Sequence, residues 1–266
     1  MADARPIGVF DSSVGGLTVA RAIMDQLPNE TILYVGDGAR FPYGPRPVRE
    51  IRSFGMELAA WLVERDVKML VIACNSVEVS AIGDIAASHD VPVIGVVNPG
   101  ARAAIAATRS GIVGVIGTEA TIATGAYQRA IGGAVELYAA ACPVFVEHVE
   151  RGDTTSEKLR EAARGYLAPL KEKGIDTLIL GCTHYPLLSG LLQMELGPDV
   201  VLVSSAEETA KDVYAALLRA DRLRKDAEPP THAFMTTGGA QPFRTLAERF
   251  LGHAAMVETI SVGSAS

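Results

Sequence analysis

Residues Ile7–Gly8–Val9–Phe10–Asp11–Ser12 form a short apolar run with a polar end, and the pattern returns 106 residues later as Val113–Gly114–Val115–Ile116–Gly117–Thr118. A second pair of segments, Met69–Asn75 and Thr177–Thr183, repeats at an offset of 108 residues. Near-constant offsets at separate places predict a duplicated unit. The repeat is too long for a solenoid module, so it indicates two similar domains rather than an array.

Other apolar runs of the same kind alternate with longer stretches of helical spacing. This alternation is typical of parallel sheets whose strands are covered on both faces by crossover helices. We therefore expect an α/β fold of two pseudo-symmetric domains with mostly parallel sheets. The predicted strands are Ile7–Phe10, Thr31–Val35, Met69–Ala73, Val93–Val97, Ile112–Ile116, Val135–Ala139, Thr177–Leu180, Val200–Val203 and Ala233–Met235.

The repeat also predicts the domain boundaries. The first domain is expected to comprise residues 1–98 and 207–266, and the second residues 99–206. Two chain crossings between the domains would permit hinge motion, and the cleft between them is the expected active site.

Composition and charge exclude several classes of protein. The 266 residues are 48% hydrophobic, which is enough for a sizeable core. Lysine and arginine number 24 against 31 acidic residues, a net charge of −7, so nucleic acid is not expected as the main ligand. No apolar run approaches the roughly 18 residues that span a bilayer, and the N-terminus lacks the pattern of a signal peptide. We expect a cytoplasmic protein with no membrane contact.

Three cysteines, Cys74, Cys142 and Cys182, are too few for a disulfide framework. Cys74 and Cys182 occupy matched positions of the repeat, each after a predicted strand and before a small polar residue and a predicted helix. A thiol at a helix N-terminus has a lowered pKa. A core role would require this match to be an accident, whereas Cys142 has no counterpart and is expected to be core filler. A zinc site with His184 and a regulated disulfide are weaker alternatives.

Two thiols facing each other across a cleft could invert a stereocentre. One thiolate would remove a proton from a carbon acid while the other thiol protonates the opposite face. Asp11 and Ser12 at the first strand end could assist, as could His184 and Glu150, the latter expected in a loop before a long helix. Asp11 could instead be a helix cap and His184 a core histidine.

The stretch Gly36–Pro45 is dense in turn-forming residues. Backbone N–H groups in such a loop can bind a carboxylate without a basic side chain, although a plain turn would have the same composition. The sequence carries neither the glycine-rich dinucleotide fingerprint nor a Walker A motif, so no nucleotide is implied.

Together these motifs resemble the cofactor-independent aspartate/glutamate racemase superfamily, and within it the glutamate racemases. The blocks follow the family's order and span most of the chain. They are Gly8–Thr18, Gly36–Asp37 with Arg40 and Pro42–Gly44, Ala73–Ser76, and Leu180–Leu187.

The resemblance implies specific roles. Cys74 would take the α-proton from D-glutamate and Cys182 from L-glutamate, with Asp11 assisting Cys74 and with Glu150 and His184 assisting Cys182. It implies no pyridoxal phosphate and no metal, a homodimer, and a product, D-glutamate, that enters peptidoglycan. The remaining substrate contacts it implies are Ser12, Tyr43, Gly44, Asn75, Ser76 and Thr183, together with Asp11 and His184.

The chain departs from the family pattern at three places. Ser13 replaces a usual glycine and would be strained if its φ were positive. Ser76 replaces threonine and keeps the hydroxyl. Val77–Glu78 replaces two small residues in the first turn after Cys74, and we expect Glu78 to point away from the cleft.

The sequence alone leaves three hypotheses about the function open. The leading one is racemisation of glutamate by two cysteines. An aspartate or hydantoin racemase would share the fold, and a noncatalytic amino-acid-binding module would leave both thiols idle.

Overall fold

The computed structural model describes residues 3–225 and 228–263 and contains two parallel β-sheets. The strands of the first sheet are β1 (Ile7–Asp11), β2 (Ile32–Gly36), β3 (Met69–Ile72), β4 (Val93–Ile94), β9 (Ala233–Thr236) and β10 (Val257–Thr259). Those of the second are β5 (Ile112–Gly117), β6 (Glu136–Ala141), β7 (Thr177–Gly181) and β8 (Val201–Val203). The α/β class with parallel sheets is confirmed.

Helices connect the strands in both sheets. In chain order they are α1 (Leu17–Gln26), α2 (Val48–Val63), α3 (Asn75–Ser88), α4 (Val97–Ala107), α5 (Glu119–Ala123), α6 (Ala126–Ile131), α7 (Val144–Glu150), α8 (Glu157–Glu172), α9 (Ser189–Leu196), α10 (Ala206–Arg219) and α11 (Ala240–Leu251). No helix in the described ranges is long and apolar enough to cross a membrane.

The duplication is visible in the strand order. The first sheet contains the run β2-β1-β3-β4, and the second sheet is β6-β5-β7-β8, which is the same order in the second copy. Gly8 pairs with Leu70 in the first sheet, as Gly114 pairs with Leu178 in the second. A Cβ on Gly8 would lie 3.3 Å from Leu70, and one on Gly114 would lie 3.0 Å from Leu178. Glycine therefore fills equivalent tight positions in the two copies.

The pairing also refines the repeat for β2 and β6. Gly8 is opposite Leu33, and Gly114 is opposite Tyr138, so equivalent residues of these strands are 105 apart. The sequence match alone suggests about 103, because few side chains in the two strands are alike.

The C-terminal segment returns to the first sheet. Strand β9 pairs with β2, and β10 pairs with β9, both in parallel. Only one of these two was predicted, since β10 spans three residues with two exposed side chains and has no apolar signal.

The predicted strand Val93–Val97 was wrong at its end. Strand β4 stops at Ile94, and Val97 is the first residue of α4. A short apolar run is consistent with either a strand or a buried helix segment. Here Val97 packs with Val113 and Ile179 in the core of the second sheet, on the far side of the chain crossing from β4.

Candidate active site

Cys74 lies between the first sheet and the helix that follows it. Strand β3 ends at Ile72, and Cys74 is the N-cap residue of α3, buried and not in a disulfide. Burial raises the pKa of this thiol well above its usual value, and the negative charge of Asp11 raises it further. The Val77 N–H and the Ser12 side chain act in the opposite direction through hydrogen bonds. The expected lowering of the Cys74 pKa is therefore wrong, because burial outweighs the helix terminus.

Asp11 is fully buried at the end of β1. Its Oδ2 accepts a hydrogen bond from the Gly16 N–H at 2.8 Å, close to the start of α1. Its Oδ1 is buried without a hydrogen-bond partner among the described residues. A buried carboxylate oxygen without a donor is costly. The bond to Gly16 therefore uses one oxygen of Asp11 and leaves Oδ1 without a donor from the part of the chain that the structure describes.

Cys182 has different neighbours. Its Sγ lies 3.8 Å from Nδ1 of His184, and Nε2 of His184 lies 2.7 Å from a carboxylate oxygen of Glu150. Burial opposes charge on the His184 ring, but the contacts with Cys182 and Glu150 prevail and raise its pKa well above the usual value. A thiol, an imidazole and a carboxylate in this order can move a proton from the sulfur to the ring.

Two local expectations around Cys182 need correction. Glu150 is not in a loop, because it is the last residue of helix α7. Cys182 does not directly precede an α-helix, since Tyr185–Leu188 forms a 3-10 turn before α9. Pro186 has no N–H to donate, so the turn begins without the full set of donors that Cys74 meets at α3.

Both cysteines line one cavity of about 150 Å³. Of the sequence-predicted site residues, all but Asp11 and Glu150 line it, and those two stand behind Cys74 and His184. The cavity is lined by Ser12, Phe41, Pro42, Tyr43, Gly44, Pro45, Cys74, Asn75, Ser76, Thr118, Glu119, Pro143, Val144, Val146, Glu147, Cys182, Thr183 and His184.

The loop after β2 is held by a buried carboxylate. Asp37 is fully buried and accepts hydrogen bonds from the hydroxyls of Tyr43 and Thr237 and from Nε of Arg40. Arg40 also pairs with Glu57 at 2.6 Å. Tyr43, whose hydroxyl is engaged by Asp37, also lines the cavity.

Hydrogen bonds join the two halves of the molecule beside the cavity. The hydroxyls of Ser76 and Thr118 are 2.9 Å apart, and the Gly44 carbonyl accepts from the Ala120 N–H at 3.2 Å. The Asn75 amide donates to the Tyr127 hydroxyl at 2.9 Å. Residues after β2 and β3 are thus tied directly to residues after β5.

The departures from the family pattern have structural answers. Ser13 does not have a positive φ, so the backbone strain that serine would cause at such an angle does not arise. Glu78 is buried and directs its carboxylate to the N–H groups of Val96 and Val97, and it does not line the cavity.

The cavity-lining residues contributed by the second copy and by α7 were not predicted from the sequence, apart from Cys182, Thr183 and His184. Thr118 could have been found, since the repeat places it opposite Ser12. Val144, Val146 and Glu147 carry no such signal, because α7 has no counterpart in the first copy. Cys142, expected to be filler, is buried, does not line the cavity, and its carbonyl accepts from Tyr185.

Comparison with known proteins agrees with this geometry. Residues 7–213 match the family model described as Asp/Glu/Hydantoin racemase. A glutamate racemase of Corynebacterium diphtheriae is 52% identical over 256 residues, covering 95% of this chain and 97% of the relative. A crystal structure of a glutamate racemase from Bacillus anthracis superposes with a TM-score of 0.92 at 43% identity, covering 97% of this chain and 98% of that one.

The glutamate racemase of Francisella tularensis, crystallised with D-glutamate, also gives a TM-score of 0.92. It is 35% identical and covers 98% of this chain and 99% of its own. A family match over most of the chain, with relatives this similar along nearly their whole length, leaves one assignment. The chain belongs to the Asp/Glu/hydantoin racemase family.

Proposed function

We propose that this chain interconverts L- and D-glutamate by proton transfer at the α-carbon between Cys182 and Cys74. The observation that carries the proposal is the pair of buried thiols at matched ends of β3 and β7, both lining one cavity. The choice of substrate is supported by the relatives in sequence and structure, which are glutamate racemases, one of them crystallised with D-glutamate.

In the direction from L-glutamate, Cys182 acts as the base. His184 accepts the Cys182 proton, and Glu150 stabilises the resulting imidazolium at 2.7 Å. The thiolate then removes the α-proton, which moves from carbon to Sγ of Cys182. Cys74, held as a thiol by burial and by the Asp11 charge, donates its proton to the opposite face and becomes the thiolate. The product is D-glutamate.

In the reverse direction the Cys74 thiolate removes the α-proton of D-glutamate, and the Cys182 thiol donates. The Ser12 side chain and the Val77 N–H are the groups that stabilise negative charge on Cys74. Asp11 has a buried oxygen without a donor, which suits the ammonium group of the substrate. Charge on that ammonium would also offset the effect of Asp11 on the nearby thiolate.

Among the described residues, no lysine or arginine lines the cavity, so the substrate carboxylates would be bound by hydroxyl and backbone N–H groups. Candidates for the α-carboxylate are Asn75, Ser76 and Thr183. Tyr43 and Gly44, whose loop is fixed through Asp37, are the candidates for the side-chain carboxylate.

The cellular setting proposed rests on the family resemblance. The enzyme would act in the cytoplasm as a homodimer, without pyridoxal phosphate or metal, and would supply D-glutamate for peptidoglycan. We further propose that residues 1–98 with 207–266, and residues 99–206, act as two lobes that close on the substrate. The transition between β4 and α4, and that between β8 and α10, would be the hinges.

The test is proton NMR of the purified protein in D2O with L-glutamate and, separately, D-glutamate. Loss of the α-proton and optical rotation are followed for wild type, Cys74→Ala and Cys182→Ala, with Cys142→Ala as the matched control. We expect exchange with inversion in the wild type and the control, and neither in the two site variants.

Other results would overturn the proposal in distinct ways. If aspartate exchanges and inverts while glutamate does not, the substrate is wrong. If glutamate binds with no exchange at all, the protein is a binding module. If either site variant still racemises at the wild-type rate, the two-thiol mechanism is wrong.

A further inference from the structure

Helix α4 begins where the chain crosses from the first sheet to the second, and its N-terminus has no cap of its own. The first N–H groups of any helix lack partners within it. The N-cap residue here is Val96 and the first helical residue is Val97, and neither side chain can accept a hydrogen bond. Both N–H groups are nevertheless satisfied.

The partner is Glu78, which lies in a different helix. One oxygen of its carboxylate accepts from the Val96 N–H at 2.5 Å and from the Val97 N–H at 2.9 Å. The Glu78 side chain is buried, and its own N–H donates to the Cys74 carbonyl at 2.9 Å. One side chain therefore connects the turn that begins at Cys74 to the crossing between the sheets.

The two ends of this connection belong to different cores. Val77, next to Glu78 in α3, packs in the cluster of the first sheet that includes Cys74. Val97 packs with residues of β5 and β7 in the second. Strand β7 leads to Cys182, so the bond from Glu78 connects the turn that begins at Cys74 to the start of the helix that packs on the second sheet.

We propose that Glu78 is a positioning residue, a cap supplied from α3 to α4 that fixes the Cys74 turn relative to the half of the molecule carrying Cys182. The proposal deepens the two-thiol reaction proposed above and rests on it for its kinetic readout. Glu78 does not contact the cavity, so its effect on the reaction passes through Cys74.

The neighbouring residue Gly95 provides an independent way to disturb the same contact. A Cβ at position 95 would lie 2.3 Å from the carboxyl carbon of Glu78, and Gly95 does not have a positive φ. Gly95→Ala should therefore displace the carboxylate without removing it.

The matched control lies at the second chain crossing. The hydroxyl oxygen of Ser204 accepts from the N–H of Ala206, the first residue of α10, at 3.3 Å. Ser204→Ala thus removes a side-chain hydrogen bond to a helix start at a crossing without touching the helix that begins at Cys74.

The experiment compares Glu78→Ala, Glu78→Gln and Gly95→Ala with Ser204→Ala in the intact protein. We measure kcat and KM in both directions, and the iodoacetamide alkylation rates of Cys74 and Cys182 by mass spectrometry. We expect Glu78→Ala and Gly95→Ala to lower kcat roughly tenfold or more in both directions, because small misplacements of a reacting group are costly. The ratio of Cys74 to Cys182 alkylation should rise, while the pH midpoint for Cys74 stays unchanged.

Glu78→Gln keeps an oxygen that can accept both N–H bonds, so it should restore most of kcat, and Ser204→Ala should match wild type. The proposal is overturned if folded Glu78→Ala and Gly95→Ala behave as Ser204→Ala does. A lowered pH midpoint for Cys74 in Glu78→Ala would also overturn it, by assigning the effect to charge. The alkylation ratio does not depend on turnover, so it tests the positioning role even if glutamate proves not to be the substrate.

Discussion

The buried carboxyl of Glu78 makes the stability of the fold depend on pH. Burial raises its pKa to about 7 from a usual value of 4.5, against the smaller opposing effect of the two backbone hydrogen bonds. In the unfolded chain the group ionises near its usual value. Between pH 4.5 and 7 the folded protein therefore holds more protons than the unfolded chain, and raising the pH lowers the free energy of unfolding.

The size of the effect follows from the shift. At about 1.4 kcal/mol per pH unit, the difference between the two pKa values corresponds to about 3 kcal/mol, most of it lost between pH 5 and pH 8. Glu78→Gln removes the titration while keeping size and an acceptor oxygen. We expect wild type to lose about 2 to 3 kcal/mol more than Glu78→Gln between pH 5 and pH 8.

The assay is urea denaturation of both proteins at four pH values across that interval. Comparing the pair cancels the contributions of the other titrating groups, such as His184. If the difference in unfolding free energy between wild type and variant stays constant within about 0.5 kcal/mol, the carboxyl does not titrate in this range and the reasoning is refuted. A difference that grows in favour of wild type as the pH rises would refute the sign.

Glu150→Gln should lower kcat from L-glutamate on the order of 100-fold, because His184 loses the charge that stabilises its protonated form at 2.7 Å. An unchanged kcat in a polarimetric assay would show that the charge of Glu150 does not contribute to the reaction. Gly15→Ala should also lower activity, since the new Cβ would lie 2.5 Å from Nδ1 of His184. Gly190→Ala, where the added Cβ meets nothing within 4 Å, is its control, and equal activity of the two variants would contradict the steric argument.

The parallel sheets and their duplication could be predicted because strands buried on both faces appear in the sequence as short, continuous apolar runs. Each strand of the central pairs is apolar on both faces, and its polar successor marks the edge where ligands bind. The same reasoning predicts that Cys74 and Cys182 lie close together, and both line one cavity. The repeat also places Thr118 opposite Ser12, and Thr118 lines the cavity from the second copy.

What could not be predicted depends on contacts distant in sequence. The burial of Cys74 reverses the effect expected from its helix terminus, and no local sequence pattern reports how deeply tertiary packing buries a residue. The use of Glu78 as a cap for α4 is of the same kind. A glutamate in the first turn of α3 suggests a favourable contact with its own helix, whereas the structure directs it to the next one.

A duplicated fold supplies two equivalent strand ends, but the substrate of a racemase is not symmetric about its α-carbon. The α-hydrogens of the two enantiomers lie on opposite faces of the α-carbon, and each must be reached past the same ammonium and carboxylate groups. The two thiols accordingly have different partners, a carboxylate with a free oxygen beside Cys74 and an imidazole with its own carboxylate beside Cys182. Duplication accounts for the matched placement of the thiols, and in the proposed mechanism their different partners, Asp11 and His184, would let one site act on both enantiomers.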